Sequence, residues 1–162
     1  MYLIFDTETT GFFKQIKPDP SDPANYPHVI QLGFILMDAH FEVVQTYCEL
    51  IQPDGWKIPN ECFWIENGYT TEKSKKYGIP IEEALTAFCK AVDRCNTLIA
   101  HNMKFDHPIM TAEMKRHNIM PKKKTGSQNL HNGRIKAILQ NTKQKRHRHQ
   151  IPKVDGIAHG VV

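Results

Sequence analysis

The chain has 162 residues and a mass of 18.7 kDa, which is enough for one domain built around a single core. No apolar run approaches the roughly 20 residues that cross a bilayer, so we expect no membrane partner. The four cysteines form no Cys-x-x-Cys pair, and the amino terminus reaches Asp6 without a basic or long apolar stretch. These features argue against a disulfide scaffold, a zinc knuckle and a secretory leader, and they favour a cytoplasmic location.

The net charge of +4 conceals two parts of opposite sign. Residues 1–120 carry 11 Lys or Arg and 16 Asp or Glu, which gives −5. Residues 121–162 carry 10 Lys or Arg and one acid, Asp155, which gives +9. The sequence therefore predicts an acidic globular body over 1–120 and a basic tail over 121–162.

The body alternates between strand and helix patterns. Short apolar, β-prone runs predict four strands, at residues 2–5, 28–38, 41–51 and 97–100. The second and third strands are close enough to form a hairpin, and the first ends in a loop that begins at Asp6. Helical periodicity predicts two helices, at residues 81–95 and 105–117. Prolines and glycines predict irregular chain over 12–27 and 52–80. The order β-β-β-α-β-α indicates an α/β fold with a mixed sheet.

Acidic side chains follow two of these strands. Asp6 and Glu8 are two residues apart, so along a strand they lie on the same face. Asp106 comes shortly after the fourth strand, and ligands of open α/β sheets bind beyond the carboxyl ends of strands. Paired carboxylates at such a place suit a hard cation. Two simpler interpretations stay open: Asp106 also suits a helix N-cap, and acids near strand ends are often solvated loop residues.

Two local motifs carry a family resemblance. Residues 4–11 read Ile-Phe-Asp-Thr-Glu-Thr-Thr-Gly, and residues 101–106 read His-Asn-Met-Lys-Phe-Asp. In this order, about 95 residues apart, they resemble the first and second motifs of the DEDD-type 3′–5′ exonucleases, the DnaQ-like proofreading family. The resemblance covers roughly residues 1–120. It implies a ribonuclease H-like α/β fold, a mixed sheet with flanking helices.

The resemblance also implies roles for individual residues. Asp6, Glu8 and Asp106 would be the catalytic carboxylates and would hold two Mg²⁺ (or Mn²⁺) ions. The residues implied to bind or shape the pocket for the terminal nucleotide are Thr7, Thr9, Thr10, Gly11, Asn102 and Phe105. The substrate would be a single-stranded 3′ end of DNA or RNA, and a polymerase is a candidate partner.

The third motif of that family does not occur in this chain. It consists of a His or Tyr general base followed about five residues later by a fourth carboxylate. Asp155 is the only acid after Glu113, and Gln150 stands five residues before it. We therefore expect an exonuclease domain over 1–120 with impaired catalysis.

The basic tail admits three interpretations. Its charge suits a nucleic-acid-binding arm, and its composition also suits a disordered segment. The third interpretation is a frameshift. Permitted codons can be chosen for residues 127–162 such that reading from the second base of each codon meets no stop codon and gives a peptide with acidic residues. The alternative function is a non-catalytic nucleic-acid-binding module that uses the tail. A metal site at His147, His149 and His159 is a weaker alternative to a solvated basic run.

Overall fold

The structure is a computed structural model that describes residues 1–14, 19, 21–122 and 129–132, the last four by their backbone alone. The strands of this part are β1 (Tyr2–Thr9), β2 (Val29–Met37), β3 (Val43–Leu50), β4 (Thr97–Ala100) and β5 (Asn129–Asn132). They form one sheet in the order β3-β2-β1-β4-β5. The pairs β1–β2 and β2–β3 are antiparallel, whereas β1–β4 and β4–β5 are parallel. The prediction of a mixed sheet with an antiparallel hairpin is confirmed.

Helices pack against one face of this sheet. The α-helices of the described part are α1 (Cys62–Glu66), α2 (Thr71–Tyr77), α3 (Ile81–Arg94) and α4 (Met103–Arg116), and a short 3-10 helix spans Pro23–Asn25. Leu3 and Phe5 of β1 belong to the same buried cluster as Phe88 of α3 and Ile109 of α4. On the opposite face a smaller cluster contains Ile4, Ile35 and Met37. Within the described residues, no helix is long and apolar enough to cross a membrane.

The sequence predicted the regular elements of the body more accurately than its connections. The two long helices and the hairpin strands lie within two residues of their predicted bounds. The prediction that the first strand ends at Phe5 is wrong, because β1 keeps pairing with β2 as far as Thr9 and Val29. The prediction of an irregular segment over 52–80 is also wrong, because α1 and α2 lie there.

Local capping explains the second helix of that segment. The Thr70 side chain accepts a hydrogen bond from Lys73 N at 3.1 Å and so caps the amino end of α2. Gly78 follows its last residue. A capped helix of seven residues is too short to show a hydrophobic period, which is why the sequence pattern did not reveal it.

Gly78 lies against the backbone that leaves β3. The chain there is tied by Ile79 N, which donates to Leu50 O at 2.9 Å, and by Gln52 N, which donates to Ile79 O at 2.8 Å. A Cβ atom at Gly78 would lie 2.4 Å from Ser74 O and 2.7 Å from Gln52 N. Both neighbours are backbone atoms in fixed elements, so neither can move away easily.

We expect Gly78→Ala to lower the free energy of unfolding by roughly 2–3 kcal/mol, the usual cost of overpacking a tight site. Urea denaturation monitored by circular dichroism measures this. Gly33→Ala is the matched control, because the atoms nearest to its new Cβ would lie at 3.9 and 4.0 Å. Equal stability of the two variants would contradict the close approach at Gly78.

Candidate active site

The carboxyl end of β1 presents two half-buried acids on one face of the sheet. Leu3 and Phe5 point into the core below α3 and α4. Alternation therefore directs Asp6 and Glu8 to the opposite face, which Ile4 shares. On the neighbouring strand, Asp6 pairs with Gly33 and Glu8 pairs with Gln31.

Asp106 reaches this strand from the first turn of α4. The β1–β4 ladder ends at the pair Phe5 and Ala100, which leaves the next part of β1 without a strand on that side. There Thr7 donates to Asp106 Oδ1 twice, from its backbone N at 3.3 Å and from its Oγ1 at 2.8 Å. The Asp106 carboxylate thus continues the ladder beyond the end of β4.

The interpretation of Asp106 as a helix N-cap is wrong. Helix α4 begins at Met103 with Asn102 in the N-cap position. The Asn102 carbonyl accepts hydrogen bonds from the backbone N of Phe105 at 2.8 Å and of Asp106 at 2.9 Å. The Asp106 side chain bonds across to β1 instead, which joins the second motif to the first.

The charges at this junction are unfavourable without a counter-ion. Asp106 is 3% exposed, and burial raises its pKa to about 6. The hydrogen bonds from Thr7 act in the opposite direction, while the negative charge of Asp6 raises the pKa further. A divalent cation would relieve this repulsion, and carboxylate oxygens are the donors that Mg²⁺ prefers. The donor chemistry therefore fits a hard cation.

The described residues nevertheless do not form a closed metal cluster. No group of three or more His, Cys, Asp or Glu side chains among them is arranged to hold a metal ion. Asp6 and Glu8 project from one face of β1, and Asp106 bonds to Thr7, which stands between them in the sequence. The structure brings Asp106 against the residue between the pair without gathering three carboxylates around one point.

The turn after β1 is held by its own polar groups. Thr9 Oγ1 donates to Gly11 O at 2.8 Å, and Gly11 has a φ of +148°, which glycine adopts without strain. Thr10 N donates to His28 O at 2.9 Å, and Thr10 Oγ1 accepts from His28 N at 3.0 Å. The predicted substrate-binding turn is therefore fixed to the start of β2.

An aromatic group lies beside this turn. Half-buried Phe105 packs against Phe12 and Phe13, with ring centroids 6.0 and 5.1 Å apart. Phe12 is 86% exposed, so one ring of the group faces solvent. Asn102 is also exposed. Phe12 was not among the residues predicted from the sequence, although it directly follows the first motif.

The segment before α2 covers the same end of the sheet. Trp64 Nε1 donates to Thr9 O at 3.0 Å, and the Tyr69 hydroxyl donates to Gln31 Oε1 at 2.9 Å. Sequence reasoning missed these residues. In the sequence, the segment 52–80 stands out only for aromatic residues among glycines and prolines. That pattern does not indicate which residues the aromatic side chains contact.

A buried ion pair fastens α4 to the chain that leads into β2. Glu113 is 2% exposed, and its Oε1 accepts a hydrogen bond from Val29 N at 3.0 Å. The same oxygen forms an ion pair with Arg116 Nη1 at 2.9 Å. Burial alone would raise the pKa of Glu113, but the hydrogen bond from His28 and the charge of Arg116 hold it below its usual range. Arg116 also donates to the carbonyls of Pro23, Tyr26 and Pro27. Helix α4 therefore positions both Asp106 and the start of β2.

Comparison with solved structures defines the class of fold. The chain is similar to E. coli exonuclease I in complex with a dT13 oligonucleotide, at 16% identity and a TM-score of 0.60, over 80% of this chain and 27% of that one. It is also similar to product-bound exonuclease I, at 15% identity and a TM-score of 0.62, over 98% and 34% of the two chains. The chain thus spans about a quarter to a third of the length of these enzymes. At such identities the likeness establishes the ribonuclease H-like α/β fold.

The sequence itself gives the family. Residues 3–155 match the profile of RNase_T, a family of exonucleases, so the chain belongs to the RNase_T exonuclease family. This confirms the resemblance to DEDD-type 3′–5′ exonucleases, a family that depends on divalent metals. The match extends past residue 120 into the basic segment. No curated protein matches the chain.

We expect Asp106→Asn to raise stability at neutral pH in the presence of EDTA. The folded pKa of about 6 exceeds the ordinary value of 3.8, so the folded state prefers the protonated carboxyl. Stability is therefore lost as the pH rises from about 4 to about 6, by roughly 3 kcal/mol for a shift of this size. The asparagine variant lacks this loss.

Urea unfolding at pH 4.5 and pH 7.5 tests this expectation. The variant should exceed the wild type by about 1–3 kcal/mol at pH 7.5, and by clearly less at pH 4.5. Asp54→Asn, at an exposed position, is the control. The expectation is wrong if the Asp106→Asn advantage is the same at both pH values.

Proposed function

We propose that this chain carries a metal-dependent 3′–5′ exonuclease site at the carboxyl end of β1. The observation that supports it most is the contact of Asp106 with Thr7, the residue between Asp6 and Glu8. This contact brings two residues that are 99 positions apart, one from each motif, to one strand end. The four free thiols of the chain suit a reducing compartment, so we place the protein in the cytoplasm.

The carboxylates of Asp6, Glu8 and Asp106 are proposed to hold two Mg²⁺ or Mn²⁺ ions. When bound, such ions polarise the scissile phosphate and lower the pKa of the attacking water. Asp106 would have to ionise to serve as a ligand, and its Thr7 hydrogen bonds favour that form. The turn at Thr9–Gly11, Asn102 and Phe105 would lie against the terminal nucleotide.

The substrate is proposed to be a single-stranded 3′ end. Exonuclease I, which shares the fold, has been solved with dT13 and dA16 oligonucleotides, and this favours DNA over RNA. The exposed ring of Phe12 suits a stacked base, because single-strand binders use aromatic side chains as stacking platforms. From the family resemblance, a polymerase is the proposed protein partner.

Catalysis by this chain is proposed to be slow. The family's third motif supplies a general base, and the sequence has no His or Tyr five residues before Asp155. Most of the basic tail lies outside the described residues, including Gln150, Asp155 and the three histidines His147, His149 and His159. A missing general base lowers the rate by roughly 10²–10⁴-fold.

A non-catalytic nucleic-acid-binding module is the second candidate. The charge of +9 on residues 121–162 favours it, because basic segments bind phosphate chains without sequence preference. This candidate predicts binding that falls steeply with salt and that needs no divalent metal. The two candidates therefore differ in metal dependence and in product formation.

An oligonucleotide degradation assay separates them. We expect a 5′-labelled single strand to be shortened stepwise from its 3′ end in Mn²⁺, slowly, and not in EDTA. Asp6→Ala should reduce this rate by at least about 100-fold, because Asp6 is one of the proposed metal ligands. Asp54→Ala, which removes an exposed acid that belongs to neither motif, should retain it.

Two outcomes would contradict the proposal. Unchanged degradation by Asp6→Ala would place the activity elsewhere. Tight, metal-independent binding of the strand without any product in Mn²⁺ would favour the binding module. Filter binding at 50 and 200 mM salt, run beside the assay, records the second outcome.

A further inference from the structure

We propose that Tyr69 and Gln31 form a positioning pair for Glu8, in which the Tyr69 hydroxyl fixes the Gln31 amide and the amide orients the Glu8 carboxylate. The inference rests on the proposed function, since it assigns Glu8 as a metal ligand. Neither residue belongs to the two sequence motifs. Both are positioning residues, because they act on the metal through Glu8.

The sheet register places Gln31 beside Glu8. The two residues are direct partners in the antiparallel β1–β2 ladder. Side chains at such positions share a face, with Cβ atoms about 4.5–5.5 Å apart. Both are half-buried, so solvent competes only in part for their polar groups. A glutamine amide at this distance can reach a glutamate carboxylate.

The hydrogen bond from Tyr69 determines which end of the Gln31 amide faces the Glu8 carboxylate. The Tyr69 hydroxyl donates to Gln31 Oε1 at 2.9 Å. With the oxygen directed at the phenol, the Nε2 end of Gln31 is turned away from it, and Nε2 can only donate. A donor is the group that a carboxylate accepts, so this orientation of Gln31 favours a fixed Glu8.

The phenol lies close to the acidic pair and stays protonated there. Burial raises the pKa of Tyr69, and the negative charges of Glu8 and Asp6 add to the effect. The hydroxyl is therefore a donor at every pH at which the protein would work. An ionised phenolate could not hold the amide in this orientation.

The backbone around Tyr69 is fixed on both sides. Tyr69 N donates to Trp64 O at 2.8 Å, and the indole of Trp64 donates to Thr9 O at 3.0 Å. On the other side, Thr70 caps α2. The ring thus bridges the α1–α2 segment and the sheet, and it leaves Gln31 little freedom to turn its amide.

The test compares Tyr69→Phe with Tyr47→Phe. Tyr47 is a half-buried phenol stacked on Phe34 at 4.7 Å between ring centroids, on the face of β3 that packs against the core. Burial raises its pKa to about 12, so it matches Tyr69 in kind without touching the acidic pair. Titration calorimetry with MnCl₂ and thermal unfolding in EDTA are measured on the full chain.

We expect Tyr69→Phe to weaken Mn²⁺ binding about tenfold, the usual effect of losing a partner of a metal ligand. The Tm in EDTA should change by no more than about 2 °C, and Tyr47→Phe should bind Mn²⁺ as the wild type does. In the degradation assay kcat should fall while KM for the oligonucleotide stays unchanged. Gln31→Met, of similar length but without a hydrogen-bond donor, should reproduce the loss. The double variant should bind Mn²⁺ no more weakly than the weaker-binding of the two single variants, because Tyr69 and Gln31 act on Glu8 through the same chain of contacts.

Unchanged Mn²⁺ affinity of Tyr69→Phe, or additive losses in the double variant, would overturn the inference. If Tyr69→Phe lowers the Tm in EDTA by more than about 5 °C, the variant is destabilised. The Mn²⁺ affinity of Gln31→Met then tests the inference instead. Glu8→Gln separates this outcome from failure of the proposed function. Loss of Mn²⁺ binding by Glu8→Gln beside normal Tyr69→Phe rejects only the positioning pair, whereas normal binding by Glu8→Gln rejects the metal site itself.

Discussion

The hydrogen bonds from Thr7 to Asp106 are the interaction on which the candidate site depends. Strand β4 stops opposite Phe5, and a carboxylate then takes the place of the next strand residue. Because the Asp106 carboxylate bonds to β1 in this way, the amino end of α4 lies against this central strand. It also buries a charge beside Asp6, which is costly unless a cation or a proton balances it. The contact between Thr7 and Asp106 therefore fixes the geometry of the candidate site. It also places two carboxylates so close together that a nearby positive charge would stabilise them.

The two faces of the sheet have separate tasks. Helices α3 and α4 cover one face with apolar side chains and supply its stability. The other face carries Asp6 and Glu8 at its end, with Tyr69 and Trp64 bonded beside them. Glu113 and Arg116 connect the two by fastening α4 to the chain that enters β2. A rigid core below the strand thus supports polar groups above it.

Much of this was predictable because it depends on local patterns. Alternation alone places Asp6 and Glu8 on one face, and periodic apolar residues fix α3 to within a residue of its observed end. Trp64 and Tyr69 were not predictable, because their partners lie 55 and 38 residues away and short capped helices leave no period. Strand β5, Asn-Leu-His-Asn, has one apolar residue, so its pairing with β4 creates the strand.

The separation of Thr7 from Asp106 also has a consequence for the chain during synthesis. The two residues are 99 positions apart, and closing a loop of that length costs roughly 4 kcal/mol in chain entropy. Packing of β2, α3 and β4 must offset this cost before the contact can form. A ribosome-bound chain that has not yet released α4 holds Asp6 and Glu8 without their third acid. The newly made protein thus brings its three motif carboxylates to one strand end only when the body is complete, so the proposed metal site would form last.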